Sequence, residues 1–380
     1  MKEWEEVLLT DVATKIGDGL HGTPKYDIGG DYYFINGNNL VSGKVVIKED
    51  TKRVNKSEYL KHSKPINERT LLLGINGTIG NVAYYKNEKC MLGKSACYIN
   101  VNDETDLQFI YYTLVNKDFQ NYIEGIATGT TILNVPLKGI REYTVKLPSL
   151  PEQRAIASIL SSLDDKIDLL HRQNATLEKM AETLFRQWFV EEAKEEWEEG
   201  NLGEVIEIYD KLRIPLSKME RDKKKDGPLY PYYGAAQIMD YINEYIFDGE
   251  YILLGEDGTV RTDEGYPVLQ YATGKFWVNN HTHVIKAKHP YNNFFILNYL
   301  KKKNIDEIVT GAVQPKINQA NLKSIDFPKY PENLVIEFNT VTNPVFNKIK
   351  HNITQIRTLT ALRDVLLPKL MSGEVRVDQD

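Results

Sequence analysis

Cysteine is scarce in this chain: Cys90 and Cys97 are the two in 380 residues. That number excludes a disulfide scaffold, and no zinc-type Cys/His spacing accompanies them, so a reducing compartment is expected. Long hydrophobic runs are missing as well. The opening MKEWEEVLLT has no apolar signal core, and no stretch approaches the roughly 18 residues of a membrane helix, which points to the cytoplasm. Basic charge is not in excess. A net charge of -6 argues against a protein that wraps nucleic acid alone, although local basic clusters can act beside partners that add more. What remains is ordinary for a globular protein of two or three domains, with 42% hydrophobic and 26% charged residues. The 23 tyrosines suit interfaces and plain β-sheet equally.

Catalytic groupings are the next absence. Gly17, Gly19 and Gly22 in GDGLHGTPKY spell G-x-G-x-x-G, but Thr23-Pro24-Lys25-Tyr26 follows and no helix can open there, so a dinucleotide loop is excluded. A plain glycine turn and a polar loop reaching a ligand both remain. LGKS at 92–95 ends like a phosphate loop, yet Glu88 stands where its first glycine belongs. NPVF at 343–346 lacks the second proline of the amino-methyltransferase tetrapeptide, and entry into a coiled coil explains it better. His281 and His283 have no third ligand nearby, which suits strand surface or polar contact rather than metal. No active site emerges.

What is present is a repeat. LLLGINGTIG at 71–80 matches ILLGEDGTVR at 252–261, and ATGTTILNVPLKGI at 127–140 resembles VTGAVQPKINQANLKSI at 309–325. LPSLPEQ answers FPKYPEN, and Trp4-Glu5-Glu6 reappears as Trp197-Glu198-Glu199. The protein is two diverged copies of one unit. Each copy runs from strand-like segments between Gly/Asn turns (DYYFI, KVVI, TLLLGI and NVAYY; then EYILL, PVLQY and KFWVN) into a long helix.

The helices carry heptad seams. In the first, apolar residues fall at Ile156, Leu160, Leu163, Ile167, Leu170, Leu177, Ala181, Leu184 and Trp188, interrupted by Asn174. The second reads Val345, Ile349, Asn352, Ile356, Leu359, Arg363, Leu366 and Leu370. Each stripe could bury itself in its own domain. The lengths favour an antiparallel coiled coil in which Asn174 faces Asn352 and partner numbers sum to 526, pairing Leu170 with Ile356, Ile167 with Leu359, Leu160 with Leu366 and Leu177 with Ile349. A buried asparagine pair fixes register at some cost in stability.

The run LPSLPEQRAIASILSSLDDKIDLLHRQNATLEKMAETLFRQWF, 147–189, resembles the central helix of type I restriction-modification specificity subunits, and the likeness covers the whole chain. GDGLHGTPKY resembles the glycine loop of one class of target recognition domain, and RIPLS with YPYYGAAQIMDYI and ILLGEDGT resembles another. PENLVIEF departs from the first copy's PEQRAIAS and leaves the start of the terminal helix open. The resemblance implies an α+β protein with an internal pseudo-twofold repeat: two α/β target recognition domains, 1–147 and 195–327, joined by a central helix, 148–194, and a C-terminal helix, 328–380, in an antiparallel coiled coil. It implies no catalysis by this chain. Each recognition domain reads one half of a bipartite site in double-stranded DNA, and the helices act as a spacer ruler and as a platform for two methyltransferase subunits. S-adenosylmethionine belongs to those partners, adenine N6 is the methyl acceptor, and two restriction subunits can join. The rival is a two-headed protein-interaction scaffold without DNA binding, which the acidic EEAKEEWEE at 191–199 and the tyrosines would suit.

Candidate DNA contacts combine short donors and acceptors with tight backbone. In the first domain they are Gly19, His21, Thr23, Lys25, Asn36, Asn38, Asn39, Thr128, Thr130 and Thr131. In the second they are Lys211, Arg213, Tyr232, Tyr233, Gln237, Asp257, Thr259, Arg261 and Gln314, with the Lys223-Lys224-Lys225 run as a sequence-independent phosphate contact or a solvated surface. Metal ligands are not expected.

Overall fold

Both heptad stripes fold as single long helices, Leu150–Arg186 and Glu332–Ser372, in the computed structural model of the chain, which describes residues 4–192, 197–311 and 313–377. The boundary expected between 194 and 195 and the middle of the acidic run at 191–199 lie outside the described residues. The terminal helix begins at once after Pro331, whose carbonyl accepts the Val335 N–H at 3.1 Å; a proline at a helix start sacrifices no hydrogen bond. PENLVIEF therefore does not delay it. Within that helix the NPVF segment is a packing element, because Phe346 stacks on Phe294 with ring centroids 3.8 Å apart. Among the described residues no helix is long and apolar enough to cross a membrane.

Contacts divide the chain into two units, Met1–Leu169 with Ile356–Asp380, and Leu170–Gln355. Each long helix contributes to both.

The first unit is built on four antiparallel strands, β1 (Ala13–Asp18), β2 (Thr70–Asn76), β3 (Thr78–Tyr84) and β4 (Ala96–Val101), in spatial order β1-β4-β2-β3. The unbroken TLLLGI of β2 is apolar because both its faces are buried. Leu71 and Leu73 enter one core with Ile99 and Phe109, while Leu72 enters another with Ile35, Leu40 and Leu92. Ile156 and Leu160 from the central helix and Leu366 and Leu370 from the terminal helix join the first of these cores. The two helices run antiparallel here: Asp164 meets Arg363 at 2.9 Å, and Glu152 near the start of one helix meets Arg376, just past the end of the other, at 2.7 Å. Arg363, a charge in the expected seam, is accommodated by that partner, which also accepts from the Tyr112 hydroxyl.

The second unit has six strands, β5 (Ile206–Ile208), β6 (Tyr230–Tyr233), β7 (Ile238–Ile242), β8 (Phe247–Gly255), β9 (Leu269–Val278) and β10 (Thr282–Ala287), in order β5-β10-β8-β9-β6-β7. Only β6 against β9 is parallel. PVLQY and KFWVN, read as separate strands, lie largely on the one strand β9, which passes through Gly274 at φ 75°. Asn352 donates to Asn174 at 2.8 Å, both buried, so the expected register holds; Leu177 and Ile349 enter the same core. The stripe drifts beyond that point. Phe185 and Phe189 are buried against Phe295 and Phe338, whereas the expected Leu184 and Trp188 are half-buried, because the aromatic side chains of the second unit's core take the place of a partner seam there.

Candidate nucleic-acid interface

In the first unit one end of the sheet collects the C-terminus of β1, the β2–β3 turn and the N-terminus of β4. Gly17 and Gly19 of GDGLHGTPKY are there for close packing, whereas Gly22 has open space around it and a φ of 140°. A Cβ on Gly17 would lie 2.6 Å from the Tyr98 hydroxyl oxygen, and one on Gly19 would lie 2.2 Å from the Leu92 carbonyl oxygen. The Leu20 N–H donates to that same carbonyl at 2.7 Å. LGKS is a tie, not a phosphate loop: the Ser95 hydroxyl donates to Asn36 Oδ1 at 2.7 Å and accepts from Gly37 N at 3.1 Å. His21, Thr23, Lys25 and Asn38 are exposed on this rim, with His21 Nε2 2.5 Å from Asp18. Gly19 is buried and Asn36 half-buried. Asn39 is corrected. It is buried, accepts from Asn36 N and donates to Val46 O and Thr51 Oγ1, so it builds the turn and has nothing left for a base.

A second loop completes the rim, and it recurs in the other unit. Thr128 exchanges two backbone hydrogen bonds with Asn134 at 2.9 and 2.8 Å, Gly77 N donates to Leu133 O at 2.9 Å, and Val135 N donates to Ile75 O at 2.8 Å. In the second copy Thr310 exchanges two with Lys316 at 2.8 and 2.7 Å, Gly258 N donates to Pro315 O at 3.0 Å, and Ile317 N donates to Glu256 O at 2.8 Å. The glycines repeat too, with positive φ at Gly77 and Gly258 (70° and 78°) and at Gly129 and Gly311 (99° and 86°). Thr128, Thr130 and Thr131 are exposed in the first loop, and Thr259 and Gln314 in the second.

Elsewhere on the second rim, Lys211 and Gln237 are exposed, Arg261 pairs with Asp306 at 2.6 Å, and half-buried Asp257 meets the His281 ring at 2.5 Å. Three expected contacts are corrected. Tyr232 is 1% exposed and its hydroxyl accepts from Leu216 N, and Tyr233 is packed with Phe276; both are core residues on a strand whose alternation sequence alone could not orient. Arg213 is turned inward, donating to Glu256 at 2.5 Å, to Thr282 O at 2.6 Å and to Asp210 O at 3.0 Å. In the lysine run, Lys224 and Lys225 are engaged by Glu244 and Asp240.

Arg213 belongs to a buried polar cluster that sequence reading missed. Asp210 accepts from His283 Nδ1 at 2.6 Å, Val284 N at 2.9 Å and Gln319 Nε2 at 2.7 Å, while His283 Nε2 lies 2.8 Å from Ile317 O. Burial opposes charge on Asp210, but the His283 hydrogen bond and charge, the Val284 N–H and the Arg213 guanidinium together hold its carboxyl below the ordinary 3.8. Asp210, Glu256 and His283 are spaced closely enough for a metal. Their chemistry is otherwise, since both ring nitrogens of His283 face acceptors and the guanidinium already supplies positive charge between the carboxylates. Asp210 and Arg213 are three residues apart, but Glu256 and His283 come from distant parts of the chain; the one signal was a histidine in the apolar run of β10.

Both cysteines are buried; burial pushes the Cys90 thiol up to about 12 and Cys97 higher still, which suits packing rather than reactivity.

Residues 1–179 and 194–332 match the family described as the type I restriction modification DNA specificity domain. Along its full length the chain is 26% identical to the type I restriction enzyme MjaIX specificity subunit of Methanocaldococcus jannaschii, over 95% of that protein. A 147-residue stretch, 39% of this chain and 36% of the other, is 37% identical to a putative type I restriction enzyme specificity subunit of Haemophilus influenzae. The crystal structure of a type I restriction-modification S subunit from M. genitalium shares the fold, with a TM-score of 0.58 over 99% of this chain and 97% of that one at 21% identity. A duplicated α+β body with paired long helices, matched by that family over most of its length, places the chain in the type I restriction-modification DNA specificity family, whose general role is recognition of DNA sequence.

Proposed function

We propose that this chain is the DNA-reading, non-catalytic subunit of a type I restriction-modification complex, and that each unit reads one half of a bipartite site. The carrying observation is the loop pair built twice with the same hydrogen bonds and the same left-handed glycines: two equivalent heads suit two half-sites. The readers are the exposed members of the two rims, His21, Thr23, Lys25, Asn38 and Thr128 to Thr131 in one, and Lys211, Gln237, Thr259, Arg261 and Gln314 in the other. The functional division is two recognition domains, 1–147 and 195–327, with a helical segment after each.

The helices serve as ruler and platform. The central helix has 37 residues, about 55 Å at 1.5 Å each, enough to span more than the 34–36 Å of one B-DNA turn. Apolar side chains stand exposed on the helices, Leu169, Leu362 and Val365 in the first unit and Met180, Ile336 and Val341 in the second, which supports docking of partners. Those partners are two methyltransferase subunits that carry S-adenosylmethionine, with two restriction subunits where cleavage accompanies methylation. They also supply the positive charge that a chain of net charge -6 lacks.

Single-molecule methylome sequencing of cells expressing the chain with its methyltransferase tests this. A two-part adenine motif with a spacer of constant length is expected. No motif in the methylome together with no binding of duplex DNA by the assembled complex would favour the protein-interaction scaffold instead.

A further inference from the structure

We propose that the buried cluster of Asp210, Arg213, Glu256 and His283 fixes the reading loops of the second unit, making these four residues positioning residues for one half of the recognised site. The inference rests on the proposed reading of DNA by the two units.

The cluster ties together three chain segments that carry rim residues. Arg213 follows Lys211, Glu256 precedes Asp257 and Thr259, and the Ile317 carbonyl bound by His283 closes the loop that bears Gln314. Side chains of the cluster hold the segments from below: Asp210 is bonded by His283 and Gln319, and Arg213 bridges Glu256 and the Thr282 carbonyl. Backbone bonds cross the same points, with Glu256 N donating to His281 O at 2.9 Å and Ile317 N to Glu256 O at 2.8 Å. Asp210 and His283 have side chains 3% and 0% exposed, so they cannot touch DNA themselves. A buried charged network that is fully partnered specifies one arrangement, and removing one member leaves the others unmatched.

The first unit lacks the device. Strand register sets Leu73 beside Cys97 as it sets Leu254 beside His283, and Ile16 beside Ile99 as Ile208 beside Ile285. Cys97 therefore occupies the place of His283 and Asp18 that of Asp210, while Ile75 stands where Glu256 stands. One member of four is shared. Two heads with the same loop backbone thus rest on different foundations, and damage to the cluster should be felt in one half-site only.

The test uses the complete complex with its methyltransferase and the variants Glu256→Gln and Arg213→Ala. Methylome sequencing is expected to show one half of the motif relaxed, with near-cognate sequences methylated about tenfold more relative to the cognate, equivalent to about 1.4 kcal/mol, and the other half and the spacer unchanged. Hydrogen exchange supplies a readout that does not depend on DNA: the amides of Gly258 and Ile317 exchange faster, and those of Gly77 and Val135 do not change. Gln319→Ala, which removes a single donor, gives a milder form of both results if the charged variants fold poorly. A motif that stays intact while methylation falls uniformly, relaxation of both halves, or unaltered exchange at Gly258 and Ile317 overturns the proposal. Absence of any two-part motif for the unsubstituted chain counts instead against the reading of function.

Discussion

The two units solve one problem with different materials. Both present a glycine-bounded loop braced by the same four backbone hydrogen bonds, yet beneath it the first unit has Ile75 and Cys97 and the second has Glu256 and His283. The left-handed glycines and the backbone bonds are common, so they are what the loop's shape requires; the layer below is replaceable. A satisfied polar network specifies one arrangement, so on the proposal above the second rim should be held more narrowly than the first, as faster hydrogen exchange at Gly77 than at Gly258 would show.

The largest expected effect tests whether the heads are equals on one ruler. A four-residue insertion near Leu170 advances the helix by about 6 Å and a net rotation of about 40°, close to the step of one added base pair at 10–10.5 per turn. The methylated motif should gain about one base pair of spacer, and altered half-sites would refute the ruler. Next comes the shared loop. A side chain at Gly129 would lie 2.4 Å from the Ile132 carbonyl oxygen, and one at Gly311 would lie 2.3 Å from that of Gln314, each at positive φ. Valine at either position costs about 1–3 kcal/mol of strain and should lower the methylation rate about 10- to 100-fold; a variant that methylates at the normal rate would separate the loop from recognition.

Smaller effects concern stability. Replacing Asn174 and Asn352 together by leucine removes a buried amide pair, so calorimetry should show a higher unfolding midpoint, while loss of register specification appears as added species in size-exclusion chromatography. The smallest sharpens the contrast between Asp210 and Asp18. Folding holds the Asp210 carboxyl below 3.8, so its contribution is fully present above about pH 3.8 and fades as the pH falls through the lowered value. Asp210→Asn should flatten the acid limb of the stability curve. At neutral pH it should also cost more than Asp18→Asn, whose carboxylate faces one exposed histidine.

Local patterns were legible because they act locally. Heptad spacing marked both helices, the lone seam asparagines marked their register, and the repeat marked Gly77 with Gly258 and Gly129 with Gly311. The rim residues on loops, such as Thr130, Thr131 and Gln314, were found exposed where polar loops normally are. Tyr232, Tyr233, Asn39 and Arg213 were misjudged because polar atoms on aromatic, amide and guanidinium side chains serve interior and surface alike, and spacing does not reveal which. The drift from Leu184 and Trp188 to Phe185 and Phe189 depended on which aromatic residues of a distant segment waited there.

By itself the sequence determined the duplicated plan, the two rods with their asparagine match, and the recurrence of the loop glycines, since each follows from repetition or from periodicity. Only the tertiary structure decided that Asp210, Arg213, Glu256 and His283 meet. Their encounter requires strands β5, β8 and β10 to lie side by side, and a buried charge takes its meaning from partners that chain order does not bring near.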